Sequence, residues 1–199
     1  MQSDLRPGSV DPNDPLRRHL AGFEPLDSRE RADLARVNDL LDASRSPWDR
    51  DLPLHLTASA LIVHPASRRV LLRWHARQNA WLQVGGHGDP GETDPLVVAL
   101  REGTEEAGLA DLCAWPTPVL RHVAIVPVPA NSREPAHEHA DLRFFLATNT
   151  PDQAIAEDPT AALRWLSPTD AGALTTEANV RETIRRLARL LDDPTTQQQ

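Results

Sequence analysis

Residues 27–47 place Leu34, Val37, Leu40 and Leu41 at three- and four-residue spacing, the pattern of one buried helical face. Asp27 or Ser28 supplies the cap, Glu30 falls in the first turn, where an acid is favoured, and Pro47 closes the element. From Leu54 the pattern turns to β-type runs. HLTASALIVH, a Pro65-Ala66-Ser67 turn and RVLLRWH predict a hairpin with Leu61, Val63, Val70 and Leu72 in the core. A short strand, AWLQV, leads into GGHGDPGE, which is too rich in Gly and Pro for regular structure. Asp94 as N-cap, Pro95 at the first helical position and Gly108 as stop delimit the best-marked helix. PVLRHVAIVPV, HADLRFFLA and the short ALRWL read as further strands. Val180, Ile184, Leu187 and Leu191 then form the apolar stripe of a closing helix. Strands before and after a central helix predict mixed α/β layers around one sheet.

The chain has 199 residues, enough for one globular domain with extensions. We expect a Pro-rich, partly disordered N-terminal extension with one helix over 1–50, at most a short further helix near Pro15–Leu20, a main domain over 51–192 and a disordered tail over 193–199. The net charge of -8 argues against nucleic acid as the main partner, because a phosphate backbone is bound by excess cations. Every basic side chain is Arg. The single cysteine, Cys113, excludes an intrachain disulfide and is expected to pack as a small apolar residue. No apolar run approaches the roughly 18 residues of a membrane span, and MQSDLRPGSVDPNDP lacks the apolar centre of a secretory signal. These features predict a cytoplasmic location.

The central helix carries the chemistry. Glu102, Glu105 and Glu106 stand at i, i+3 and i+4 and share one face, whereas Leu96, Leu100, Gly103 and Ala107 fall on another. Like charges at this spacing repel by a few tenths of a kcal/mol each, roughly. A hard divalent cation is the natural compensation, since Mg²⁺ takes oxygen ligands and shares itself between carboxylates and substrate phosphates. The preceding glycine-rich loop lets backbone groups approach a ligand closely. The expectation is a trio of carboxylates converging beneath that loop.

GGHGDPGETDPLVVALREGTEEAGL resembles the Nudix box of the Nudix hydrolases. Gly86 and Glu92 match its first part; Arg101, Glu102, Glu105, Glu106, Gly108 and Leu109 match its last. Thr93–Leu100 is one residue longer than the family spacing, and Gly103 stands where the family has an apolar residue. The resemblance implies an α/β (α+β type) fold, a Nudix-like α/β/α sandwich with a mixed sheet, here with an N-terminal helical arm. It also implies hydrolysis of a phosphoanhydride in a nucleoside diphosphate linked to another moiety, by metal-activated water.

By that resemblance Gly86, Glu102, Glu105 and Glu106 are the ligands of Mg²⁺ or Mn²⁺. Arg101 pairs with Glu92, and Glu105 and Glu157 are further catalytic carboxylates, Glu157 standing ahead of Arg164-Trp165. His137, His139 and Asp141 alternate, so on a strand they share one side. With His87 the two histidines are candidates for a phosphate-contacting rim or a second metal site. Arg121, Arg133 and Arg143 are candidate phosphate clamps, and Arg143 joins His87, His137 and His139 as expected substrate-binding residues. Trp81 and Phe144 fit the core better than a base-stacking role. The expected partner is a small nucleoside diphosphate derivative, with neither nucleic acid nor membrane, and homodimerisation is an open alternative to a monomer. The rival reading is a catalytically silent nucleotide-binding module on the same fold. An isoprenoid diphosphate isomerase would call for a reactive cysteine before the box, whereas Cys113 follows it.

Overall fold

The computed structural model describes residues 11, 13–44, 46–132 and 134–194. Residues 1–10, 12 and 45 of the N-terminal extension and 195–199 of the expected tail fall outside them, as does Arg133. The arm holds two helices: α1 (Asp14–Ala21), at the place where the sequence allows a short further helix, and α2 (Ser28–Ala43). Leu16 and Leu20 bury one side of α1 against the core, and tertiary packing of this kind stabilises a helix too short to persist alone. In α2 the Asp27 carboxylate accepts from the Glu30 amide, and Val37 and Leu41 carry the burial.

Eight strands form one mixed sheet: β1 (Leu54–His64), β2 (Arg69–His75), β3 (Ala80–Leu82), β4 (Val84–Gly86), β5 (Cys113–Ala114), β6 (His122–Val128), β7 (His137–Ala147) and β8 (Leu163–Leu166). The predicted hairpin is present, with Val63 opposite Val70. β1 also runs parallel to β7 over Leu54–Val63, which sets His55 beside His139 and Ser59 beside Arg143. The first two glycines of the glycine-rich stretch are not loop. They complete β4, which pairs antiparallel with β1. The central helix is α3 (Pro95–Ala107), and α4 (Pro168–Leu174) and α5 (Ala178–Asp192) follow β8.

Because side chains alternate across a strand, β1 divides the core in two. Leu56, Ala58, Ala60 and Ile62 meet the helices of the arm and α3, while Leu61 and Val63 meet α4 and α5. This is an α/β/α sandwich with an N-terminal helical arm. α3 obeys its punctuation: Asp94 accepts from the Leu96 amide at 2.9 Å, and Gly108 ends the helix in the left-handed region at φ 66°. Its buried positions are Pro95, Val98, Ala99, Gly103 and Ala107, with Leu96 and Leu100 only half-buried. A Cβ on Gly103 would stand 3.0 Å from Leu112 and 3.4 Å from Leu146, so the glycine sets how closely α3 lies on the sheet. Cys113 is exposed on the short β5 rather than packed, because β5 contributes only two residues at the sheet margin.

β6 pairs with β7 alone, and edge amides of this kind invite unwanted pairing. The arm answers it. Glu30 accepts from the Val123 amide at 3.1 Å and Asp33 from the Ile125 amide at 3.2 Å. Glu30 also accepts two bonds from Arg186 of α5, at 2.7 and 3.0 Å.

Candidate active site

The glycine-rich segment brings backbone against carboxylate. Gly85 holds φ at 148°, and a Cβ there would fall 2.5 Å from the Ser59 Cα and 2.6 Å from the Ala58 carbonyl. Only glycine lets β4 lie this close to β1. The Gly85 amide donates to Glu106 at 3.0 Å. At Gly86 a Cβ would stand 2.6 Å from Glu102 Oε1, so the strand end and the carboxylate occupy one cradle. Replacing Gly85 by Ala is expected to cost about 1–3 kcal/mol in backbone strain, or roughly 2–12 °C in Tm for a chain of this size. Gly22→Ala, with nothing within 4 Å of its Cβ, should leave Tm essentially unchanged. Thermal melts of both variants check this.

Arg101 organises the acidic face. Its Nε and Nη2 donate to Glu92 at 3.1 and 3.0 Å, Nη2 also reaches the His87 carbonyl at 2.8 Å, and Nη1 donates to Glu102 and Glu105 at 3.0 and 2.9 Å. Glu92 closes its own loop by accepting from the Asp89 amide at 2.7 Å. The extra residue in Thr93–Leu100 therefore does not separate Glu92 from Arg101. Burial works against the Glu92 charge, but the Arg101 guanidinium and the Asp89 amide outweigh it and hold the carboxyl below its usual range. The same carboxylates hold the Arg101 guanidinium firmly in its charged form.

The three glutamates do not converge on one point. Their oxygens do not all lie within 4.8 Å of one another. Glu102 and Glu105 turn to Arg101, while Glu106 turns to the Gly85 amide and to Arg73, whose Nη1 is 3.1 Å away. Glu102 and Glu105 share Arg101 Nη1, and Glu106 takes separate donors, which eases the repulsion along the face. Glu105 is half exposed at the mouth. Burial raises Glu102 despite Arg101, and burial raises Glu106 despite the Gly85 amide and Arg73; the charge of Glu157 adds to the effect on Glu106. Glu157 is exposed in the loop before β8.

Beside this face lies a cleft of about 160 Å³, lined by Arg73, Gln83, Gly86, His87, Glu106 and His139 among others. Its floor is rigid. Asp141, 5% exposed, accepts from Thr57 and Ser59 and takes Arg143 Nε at 2.7 Å. Arg143, 1% exposed, donates its other nitrogens to Thr183 and Asn179, both at 3.0 Å. Its donors are thus engaged within the protein. Arg121 donates to Thr117 and lies over the Phe145 ring. Phe144 is core, and Trp81 stacks under Arg164. Arg73 Nε and Gln83 Oε1, like Arg121 Nε, are buried without a partner.

His87 and His139 have neutral rings, because burial lowers them to about 3 and about 4. The sequence reading missed Arg73, Gln83 and His55. Arg73 sits on β2 and Gln83 on the link between β3 and β4, and the pairing of those strands turns both to the cleft. His55 stands by His139 only through the parallel register of β1 on β7.

A family model of the NUDIX domain matches residues 53–187. The chain belongs to the Nudix family. Membership makes it a Nudix pyrophosphohydrolase, acting on acid anhydrides in phosphorus-containing compounds. This Nudix chain resembles the Escherichia coli dihydroneopterin triphosphate pyrophosphohydrolase, with TM-score 0.51 and 22% identity, over 68% of this chain and 94% of that one. It also resembles a Caenorhabditis elegans Ap4A hydrolase in a binary complex, with TM-score 0.53 and 21% identity, over 69% and 97%. A Nudix family hydrolase from Clostridium perfringens gives TM-score 0.51 and 21% identity, over 68% and 97%. At such identity the likeness is one of fold. No curated protein sequence matches the chain significantly. Among the described residues no helix of this Nudix protein is long and apolar enough to cross a membrane.

Proposed function

We propose that the protein is a Mg²⁺- or Mn²⁺-dependent, cytoplasmic hydrolase that cleaves the phosphoanhydride of a nucleoside diphosphate linked to another moiety. The observation that carries this reading is the pair of half-buried carboxylates, Glu102 and Glu106, set against the Gly85-Gly86 backbone, with Glu106 on the wall of the cleft. Their raised proton affinity marks negative charge that the protein only partly offsets. The donor set of the Gly86 carbonyl, Glu102, Glu105 and Glu106 is all oxygen, which suits a hard cation. When bound, that ion supplies an activated water and charge stabilisation at the phosphoryl oxygens.

The chain's own residues do the rest. Arg101 keeps Glu92 while releasing Glu102 and Glu105, so the Glu92 pair holds the loop against α3. Arg73 reaches past Glu106 to a substrate phosphate, its unpartnered Nε being the donor in reserve. His87, neutral and on the cleft wall, donates to phosphate oxygens, with His139 and His137 packed behind it. Arg143 acts on the substrate through Asp141 and the rigid floor. Glu105 and Glu157 are the exposed carboxylates beside Glu106, and one of them takes the proton of the attacking water. The cleft falls below the about 300–1,000 Å³ typical of sites that enclose a drug-sized ligand. It therefore takes the diphosphate, and the nucleoside lies outside it.

The test is turnover. The protein is incubated with Mg²⁺ or with chelator and a panel of ADP-ribose, dinucleoside polyphosphates, nucleotide sugars, coenzyme A and oxidised dNTPs. Cleavage of at least one compound, abolished by chelator, is expected. Tight binding without turnover across the whole panel would favour the silent binding module instead.

A further inference from the structure

Four of the eight histidines of the chain meet at one place, at the starts of β1 and β7 and the end of β4. His55 is the centre: its ring lies 5.1 Å from that of His87, 5.2 Å from that of His137 and 4.9 Å from that of His139. Among the described residues, His55, His137 and His139 are the one group of three potential metal-ligating side chains whose ligand atoms all lie within 4.8 Å of one another. The Nε2 atoms of His55 and His87 are 3.1 Å apart, and those of His137 and His139 are 3.2 Å apart. Two imidazole nitrogens on one tetrahedral Zn²⁺, with bonds of about 2.0–2.1 Å, stand roughly 3.3–3.4 Å apart. Both pairs are close to that edge.

The tautomers fit as well. His55 Nδ1 faces the Leu52 carbonyl at 2.9 Å and His137 Nδ1 faces the Pro135 carbonyl at 2.9 Å. A carbonyl only accepts, so each Nδ1 carries the proton and each Nε2 turns a lone pair inward. This is the outer-sphere arrangement that orients a ligating histidine. We propose that His55, His137 and His139 bind a single divalent transition-metal ion of the Zn²⁺ class, with His87 beside the fourth coordination place. All-imidazole donors suit such an ion, whereas the all-oxygen carboxylate face does not discriminate in its favour. The site ties the segment just after Gly86 to the starts of β1 and β7.

Untagged protein, stripped with chelator and titrated with Zn²⁺ alone, tests this by equilibrium dialysis and thermal melting. One equivalent of Zn²⁺ is expected on the histidines, with a rise in Tm. Co²⁺ in its place should give the visible absorption of a tetrahedral site. Both His137→Gln and the His137→Ala/His139→Ala pair should weaken that equivalent by more than the roughly 10–100-fold seen on losing an outer-sphere partner. His64→Ala, outside the cluster, and Glu102→Gln/Glu106→Gln should retain it. Circular dichroism confirms that each variant is folded, and the half-buried His137 is the mildest replacement should the pair disrupt the sheet. Absence of bound Zn²⁺ in the unaltered protein, survival of this equivalent in folded histidine variants, or its loss in the glutamate variant would overturn the proposal. The hydrolase reading is untouched by any of these results, since it stands on turnover with Mg²⁺.

Discussion

Glu106→Gln is expected to lower kcat by about 10²–10³-fold, the scale of losing one preorganised electrostatic contact at a developing charge. The reason is local. Glu106 is the carboxylate that β4 itself positions, through the Gly85 amide, and it faces the cleft with Arg73 at 3.1 Å. Glutamine keeps the shape and can still accept from the amide, so folding is preserved while the negative charge is removed. Kinetics at saturating Mg²⁺, with a melt as control, separate the two effects. A variant that folds normally and turns over within a factor of a few of the unaltered enzyme would remove Glu106 from the machinery. Glu105, half exposed and held only by Arg101, is the informative comparison.

The largest stability effect is expected far from the cleft, at the pair joining the arm to α5. Glu30 is 2% and Arg186 7% exposed, with two charge-assisted bonds between them. Glu30 also accepts from the Leu26 and Val123 amides, and Arg186 also donates to Glu182 and to the Arg121 carbonyl. Arg186→Ala strands a buried carboxylate and should cost about 3–5 kcal/mol, or roughly 6–20 °C in Tm at about 2–4 °C per kcal/mol. Glu30→Gln should be milder, because Arg186 keeps Glu182. Combining Glu30→Gln with Arg186→Met should recover much of the loss, since buried pairs are often replaceable by apolar packing. A double variant no better than Arg186→Ala alone would mean that the pair matters for its packing and not its charge.

Much of this was readable from residue order where the determinants are local. The cap at Asp94, the proline at position 95 and the stop at Gly108 act within a turn of the residues that specify them, and α3 has those ends. Burial followed the stripe of α5 for the same reason, since Val180, Ile184, Leu187 and Leu191 define a face by spacing alone. The readings that changed were those decided by distant partners. Gly85 and Gly86 become strand by pairing with β1, and Cys113 is exposed because β5 is too short to bury it.

The order of residues by itself established that Glu102, Glu105 and Glu106 share a helix face behind a glycine-rich approach, because a helix repeats every few residues. It could not establish which way each carboxylate turns. That depends on Arg73 from β2 and on the Gly85 amide, brought to α3 by sheet pairing. Nor could it join His55 to His139 or Glu30 to Arg186. Residues 84 and 156 positions apart meet only when strand register and layer packing are complete. Tertiary structure alone therefore decided which charges are compensated, which histidines face one another and how the arm closes the edge of the sheet.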